Sequence, residues 1–133
     1  MIVDTSALIA IIKGEESESE VRTCLGGSEK TRMSAAGFVE LMSVVGRTNE
    51  TRRRAEALLD LYSVDLHSFD GAQAGVAAAA YQRFGRGSGH PAKLNMGDTY
   101  SYALAMTTGE PLLFVGDDFA QTDVTPAIPR DTE

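Results

Sequence analysis

Short apolar runs alternate with helical patterns along the whole chain, and the order of that alternation limits the folds open to it. Met1 to Val3 is an apolar strand that ends at Asp4, and Thr5 or Ser6 is a suitable cap for a helix over Ala7 to Ile12. Glu15 to Leu25 puts Val21, Cys24 and Leu25 at helical spacing and stops at Gly26-Gly27. Thr31 to Met33 is a second short strand, and Ser34 caps a helix running to about Arg47. The next helix starts near Asn49, with Ala55, Leu58, Leu59 and Tyr62 on one face. Ser63 to Phe69 alternates as a strand does. Asp70 then caps a helix with a smooth face of Ala74, Ala77, Ala78 and Tyr81, and GRGSGHP over 85–91 is a flexible loop by composition. Asp98 to Thr108 is the last helix, ended by Gly109 with Pro111 beyond it, and Leu112 to Val115 is an apolar strand. Residues from Thr125 on, with two prolines, are expected to be irregular. A strand followed by two helices, three times over and closed by a fourth strand, predicts an α/β fold with a mostly parallel sheet flanked by helices.

A chain of 133 residues suits a single domain over 1–133, and 43% hydrophobic with 23% charged residues is ordinary for a folded protein. Cys24 is the only cysteine, which excludes an intrachain disulfide and a Cys-rich zinc site. No apolar run approaches the roughly 20 residues that span a bilayer, and the start lacks the basic segment of an export signal. No membrane is expected, and the cytoplasm is the expected location. Twelve basic against 19 acidic side chains give a net charge of −7, which excludes a simple basic nucleic-acid-binding module. The exclusion is lifted if acids cluster around divalent cations, because the ions then present positive charge to a phosphate.

Charge is missing from three segments. Residues 1–12, 34–46 and 94–109 together hold 41 residues but only three charged side chains, all of them acids: Asp4, Glu40 and Asp98. The chain average predicts roughly nine. Phe38, Val39, Leu41, Met42, Val44 and Val45 surround Glu40 with apolar groups, so its helix is expected to be largely buried. Asp4 ends one strand, and Asp117-Asp118 follow another; in a parallel sheet such carboxyl ends are where ligands bind. Three carboxylates meeting at about 4 Å repel by roughly 4 kcal/mol per pair at an effective dielectric near 20. The sum rivals a whole folding stability of about 5 to 15 kcal/mol. Raised pKa values or bound cations must compensate, and oxygen ligands without His or Cys suit Mg²⁺ or Mn²⁺ better than zinc. Each acid also has a plainer explanation. Asp4 and Asp98 suit helix starts, Glu40 would suit a buried ion pair with an arginine, and Gly-Asp-Asp is common in turns.

Four segments in order, MIVDTSALIAI at the start, a helix carrying the lone Glu40, LNMGDTYSYALA around Asp98 and LLFVGDDFAQTDV near the end, resemble the PIN-domain toxins of the VapC type over nearly the whole chain. The resemblance implies a PIN-like three-layer sandwich with a mostly parallel central sheet of about five strands. It implies a Mg²⁺-dependent endoribonuclease, with Mn²⁺ able to substitute, acting as the toxin of a type II toxin-antitoxin system on an RNA substrate. A small cognate antitoxin bound at or near the acidic pocket, and a homodimer, are implied with it. By motif position the catalytic acids are Asp4, Glu40, Asp98 and a fourth. Asp4 and Asp98 match the metal ligands, and Glu40 supports the site directly or through water. The fourth acid stands just before a phenylalanine in the family, which favours Asp118, whereas Asp117 is the nearer neighbour of the strand end. Thr5, Ser6 and Thr99 would orient the carboxylates.

Other polar groups carry plainer expectations. His67 suits a packed or surface imidazole, whereas His90, near Arg83, Arg86 and Lys93, is placed to touch RNA. Arg52-Arg53-Arg54 is a solvated helix face or, with Arg47, a phosphate contact, Tyr100 and Tyr102 are core or dimer-interface residues sooner than stacking platforms for a base, and Cys24 is a small packed side chain. Two rival functions share the acids: a Mg²⁺-binding receiver-like phosphotransfer domain, which wants a lysine near the last strand, and a non-catalytic acidic module that accepts a partner's arginine.

Overall fold

A computed structural model describes residues 1–130. Four strands, β1 (Ile2–Val3), β2 (Thr31–Ser34), β3 (Val64–His67) and β4 (Leu112–Leu113), form one parallel sheet in the order β3-β2-β1-β4. Around it pack α1 (Thr5–Ile12), α2 (Glu18–Gly26), α3 (Ala35–Val45), α4 (Asn49–Leu61), α5 (Gly71–Phe84) and α6 (Met96–Thr108). The chain builds β1, β2 and β3 outward to one side and then returns to lay β4 on the other side of β1. That reversal makes the gap between β1 and β4 a topological switch point, open at the carboxyl ends of the strands.

Successive side chains of a strand point to opposite faces, and here the alternation sorts the core into two layers. Val3, Met33 and Leu113 pack with Leu8, Ile11, Leu41 and Leu58 of α1, α3 and α4. Ile2 and Leu112 pack with Ala80, Phe84, Tyr102 and Leu104 of α5 and α6. Ile2, Val3, Leu112 and Leu113 are fully buried, each contributing about 1.5 to 3 kcal/mol of transfer free energy. The three-layer α/β sandwich is as expected.

Several details differ from the sequence expectations. Among the described residues there are four strands rather than about five; the fifth position holds a single parallel bridge. There Leu112 N–H donates to Thr125 O and Ala127 N–H to Leu112 O, both at 2.8 Å, so Pro126 needs no N–H and segment 125–127 is less irregular than expected. The end of the chain beyond Arg130, which was also expected to be irregular, lies outside the described residues. β4 stops at Leu113 instead of Val115 because the Val115 N–H donates to Ser6 Oγ at 3.0 Å rather than to a strand. Helix α3 is not largely buried: Gly37, Leu41 and Val45 form its inner stripe, while Val39 and Val44 are 67% and 46% exposed. One packed stripe satisfies α3 in the single chain, and its other apolar side is left uncovered. On α5 the buried stripe is Gln73, Ala77, Ala80 and Phe84, rotated from the expected face so that Tyr81 lies outward. Among the described residues no helix is long and apolar enough to cross a membrane.

Candidate active site

Asp4 leaves β1 at the switch point and caps α1, its Oδ2 accepting the Ser6 N–H at 3.0 Å. Capping alone would keep it at the surface, yet it is 1% exposed. Ser6 Oγ donates to Asp4 Oδ2 at 2.6 Å, and Ser101 Oγ of α6 donates to Oδ1 at 2.6 Å. The Ser6 hydroxyl also accepts from Val115 N–H, so one residue ties Asp4 to the end of β4. Burial raises the Asp4 pKa, against the pull of the Ser101 and Ser6 hydrogen bonds.

Glu40 points inward from the middle of α3, and Thr5 Oγ1 donates to its Oε1 at 2.9 Å. Among the described residues no arginine pairs with it, so the ion-pair explanation does not apply. Its carboxylate lies against the backbone of Gly97, where any Cβ would overlap it. Burial raises its pKa, Thr5 opposes the rise, and the charge of Asp4 adds to it.

Asp98 stands in the first turn of α6, which starts at Met96 rather than at Asp98 itself. Its Oδ2 accepts the Asn95 N–H at 2.9 Å, closing the helix start. Burial raises its pKa to about 7. The charge of Asp4 is the next cause; the Asn95 hydrogen bond opposes it, and Asp118 and Glu40 add smaller repulsions. Asp4, Glu40 and Asp118 are thus all near enough to Asp98 to act on its charge. Asp117 turns away: Arg130 Nη2 pairs with its Oδ1 at 2.7 Å, and its side chain is 90% exposed.

Of the supporting hydroxyls expected from the sequence, Thr5 and Ser6 do hold carboxylates. Thr99 does not; its Oγ1 donates to the Met96 carbonyl at 2.5 Å one turn back, as a threonine inside a helix commonly does. Two neighbours of the site were missed. Ser101 lies three residues after Asp98 and therefore on the same helix face, a spacing visible in the sequence. Gly97 was visible only as a glycine beside a lone acid. His67 lies away from the site, where its Nδ1 is 2.9 Å from Ser68 O.

Among the described residues no Lys, Arg or His pairs with Asp4, Glu40, Asp98 or Asp118, and no three His, Cys, Asp or Glu side chains enclose a metal by themselves. A repelling, uncompensated, all-oxygen donor set suits a hard cation held by one or two carboxylates with its waters retained, as Mg²⁺ is. The residues fit such an ion better than a closed cage.

A model of the PIN domain matches residues 1–124. Ribonuclease VapC42 of Mycobacterium tuberculosis is 54% identical over 129 residues, covering 96% of this chain and 98% of that protein. Ribonuclease VapC28 of the same organism is 42% identical over 132 residues, 98% and 99% of the two chains. Among solved structures, the sarcin-ricin loop cleaving toxin VapC20 of M. tuberculosis superposes with a TM-score of 0.70 at 16% identity, covering 93% of this chain and 95% of that one. A chain from a toxin-antitoxin complex of Klebsiella pneumoniae gives 0.65 at 19%, covering 90% and 89%. These two likenesses speak for the fold alone. The family match and the identity to the curated relatives decide membership: the chain belongs to the PIN-domain family and, within it, to the VapC ribonucleases.

Proposed function

We propose that the protein is a metal-dependent endoribonuclease, the toxin of a type II toxin-antitoxin system. It acts on RNA phosphodiesters through Asp4, Glu40, Asp98 and Asp118 and is neutralised by a small cognate antitoxin. The observation that carries the reading is that Asp4, Glu40 and Asp98, linked through Thr5, Ser101 and Gly97 and paired with no cation among the described residues, lie together at the switch point of a PIN-family sheet. Asp4 and Asp98 are the ligands for Mg²⁺, or for Mn²⁺ in its place. A divalent ion bound there supplies the positive charge that an RNA phosphate meets and the acidity that readies a water for attack.

The chain's own groups do the positioning. Ser6 and Ser101 fix both oxygens of Asp4, Thr5 holds Glu40 inward, and the Asn95 N–H fixes one oxygen of Asp98 while the other is left for a ligand. Without a cation, burial and mutual repulsion favour protonation within the cluster, with Asp4, Glu40 and Asp98 all raised and Asp98 to about 7. An antitoxin arginine entering the same acids would replace both proton and metal, which supports the inhibitor role. The uncovered apolar side of α3, with Val39 67% exposed beside Met96 at the start of α6, 66% exposed, supports the homodimer.

Asp98→Asn tests the reading. Asparagine keeps an acceptor for the Asn95 N–H but loses the ligand charge. RNA cleavage is expected to fall by about 10³-fold, the equivalent of several kcal/mol of lost charge stabilisation, and calorimetry with Mn²⁺ is expected to show weakened binding. Cleavage at the parental rate by the folded variant would sink it.

A further inference from the structure

A second built feature adjoins the acids and is not used by them. The loop between α5 and α6 closes at its neck, where Leu94 N–H donates to Phe84 O at 2.9 Å and Arg86 N–H to Leu94 O at 3.0 Å. Gly87 and Gly89, both at φ +85°, supply the left-handed turns that the closed loop requires. Within it the His90 ring stands edge-on against Phe84 with centroids 4.8 Å apart, and its Nδ1 accepts the Ala92 N–H at 3.1 Å. In the neutral ring Nε2 therefore carries the hydrogen and is the free donor. Arg86, Gly87, Gly89, His90, Lys93 and Asp118 line one groove of about 600 Å³.

The charges in this groove are unlike those of the molecule. The chain carries −7, yet the groove has Arg86 and Lys93 against the single acid Asp118, and among the described residues neither cation is ion-paired. Neighbouring Arg83, by contrast, is committed, lying 3.9 Å from Asp123 and over the Phe84 ring at 4.5 Å. Beside Gly87 and Gly89 the space is open, so a ligand can approach the backbone closely.

The geometry points to a phosphate-backbone subsite: the groove seats a phosphodiester of the RNA strand on the Asp118 side of the carboxylate cluster. Arg86 and Lys93 supply charge there, and His90 Nε2–H supplies a hydrogen bond. The assignment rests on the ribonuclease reading, since Asp118 joins the groove to the acids and a strand passing them continues into it. It also explains how an acidic protein meets a polyanion without a broad basic face.

The test measures binding of a short fluorescein-labelled single-stranded RNA of mixed sequence by anisotropy, across a salt series with Mg²⁺ present. An Asp98→Asn background prevents turnover, and the parent protein is assayed for cleavage alongside. The double change Arg86→Gln with Lys93→Gln is expected to weaken binding about tenfold. It is also expected to flatten the slope of log K against log salt by about 0.7, the change for one phosphate contact on a single strand. Arg86→Lys with Lys93→Arg keeps the charges and is expected to keep the slope, whereas Lys13→Gln with Lys30→Gln, both exposed, one just past the end of α1 and the other just before β2, removes the same two charges away from the groove and controls for loss of net charge. If the Arg86→Gln, Lys93→Gln variant matches that control in affinity and slope while the parent cleaves RNA, the subsite is overturned and the ribonuclease reading survives. A parent that neither binds nor cleaves overturns both.

Discussion

Asp4 and Asp118 both add to the charge around Asp98 and are held in opposite ways. Asp4 is buried, caps a helix and has both oxygens engaged by serine hydroxyls. Asp118 is exposed, starts the short 3₁₀ turn Phe119–Gln121, and accepts no hydrogen bond among the described residues. The difference separates two duties. A carboxylate that is desolvated and fixed costs the free protein stability but presents its oxygens to a cation in one orientation. A carboxylate on a solvated turn costs little and can adjust to the strand in the neighbouring groove.

Paired isosteric changes probe that contrast. Asp4→Asn is expected to abolish cleavage to about the extent of Asp98→Asn, roughly 10³-fold, while the metal-free protein melts a few degrees higher. Asparagine is as good a helix cap, and no buried charge then remains to be desolvated. Asp118→Asn is expected to lower cleavage only about tenfold and to leave stability within about 0.5 kcal/mol. Cleavage rates and thermal unfolding of the two proteins side by side decide the matter. Equal losses of activity would erase the distinction between fixed and adjustable acids.

Gly97→Ala reaches the fixed side indirectly. The added methyl occupies the space of the Glu40 carboxylate, so α3 must shift or Glu40 must swing outward, away from Thr5. Cleavage is expected to fall by about 10²-fold, as for other small misplacements of catalytic groups. Metal binding, read by Mn²⁺ calorimetry, is expected to weaken less than in Asp98→Asn, because Asp4 and Asp98 keep their own supports. Wild-type activity in Gly97→Ala would mean that the position of Glu40 is immaterial.

The same contrast explains what was legible in the sequence. Asp4, Glu40 and Asp98 stood out because a packed α/β core excludes charge, so each lone acid in an apolar element had to have a reason. The strand and helix order was legible for a related cause, since burying both faces of a parallel sheet leaves apolar strands between amphipathic helices. Asp117 and Asp118 could not be separated, because what divides them is an ion pair to Arg130, thirteen residues on and across a loop. The inner stripe of α3 was unreadable for the opposite reason. With apolar residues on every side, the pattern does not say which side the chain itself covers and which it leaves bare. Thr99 was misjudged because a helical threonine has two satisfactory acceptors, and its own backbone was nearer than the acids.

The smallest expected effect is on stability against pH in the absence of metal. Asp98 has a pKa of about 7 in the folded chain against 3.8 for a free carboxyl, so between about pH 4 and about pH 7 the folded state binds more protons than the unfolded state. Linkage then requires the stability of the metal-free protein to fall as pH rises through that window and to level off above it. Asp4 and Glu40, both raised, lean the same way. Asp98→Asn removes one part of this dependence, so unfolding temperatures in a chelator are expected to depend less steeply on pH in the variant than in the parent. Mg²⁺ is expected to stabilise the parent more at the alkaline end of the window, where the carboxylates have lost their proton and repel, than at the acid end, where cation and proton compete. A parent and an Asp98→Asn protein with identical pH profiles would show that Asp98 is ionised throughout the window and that neither burial nor the neighbouring acids raise its pKa.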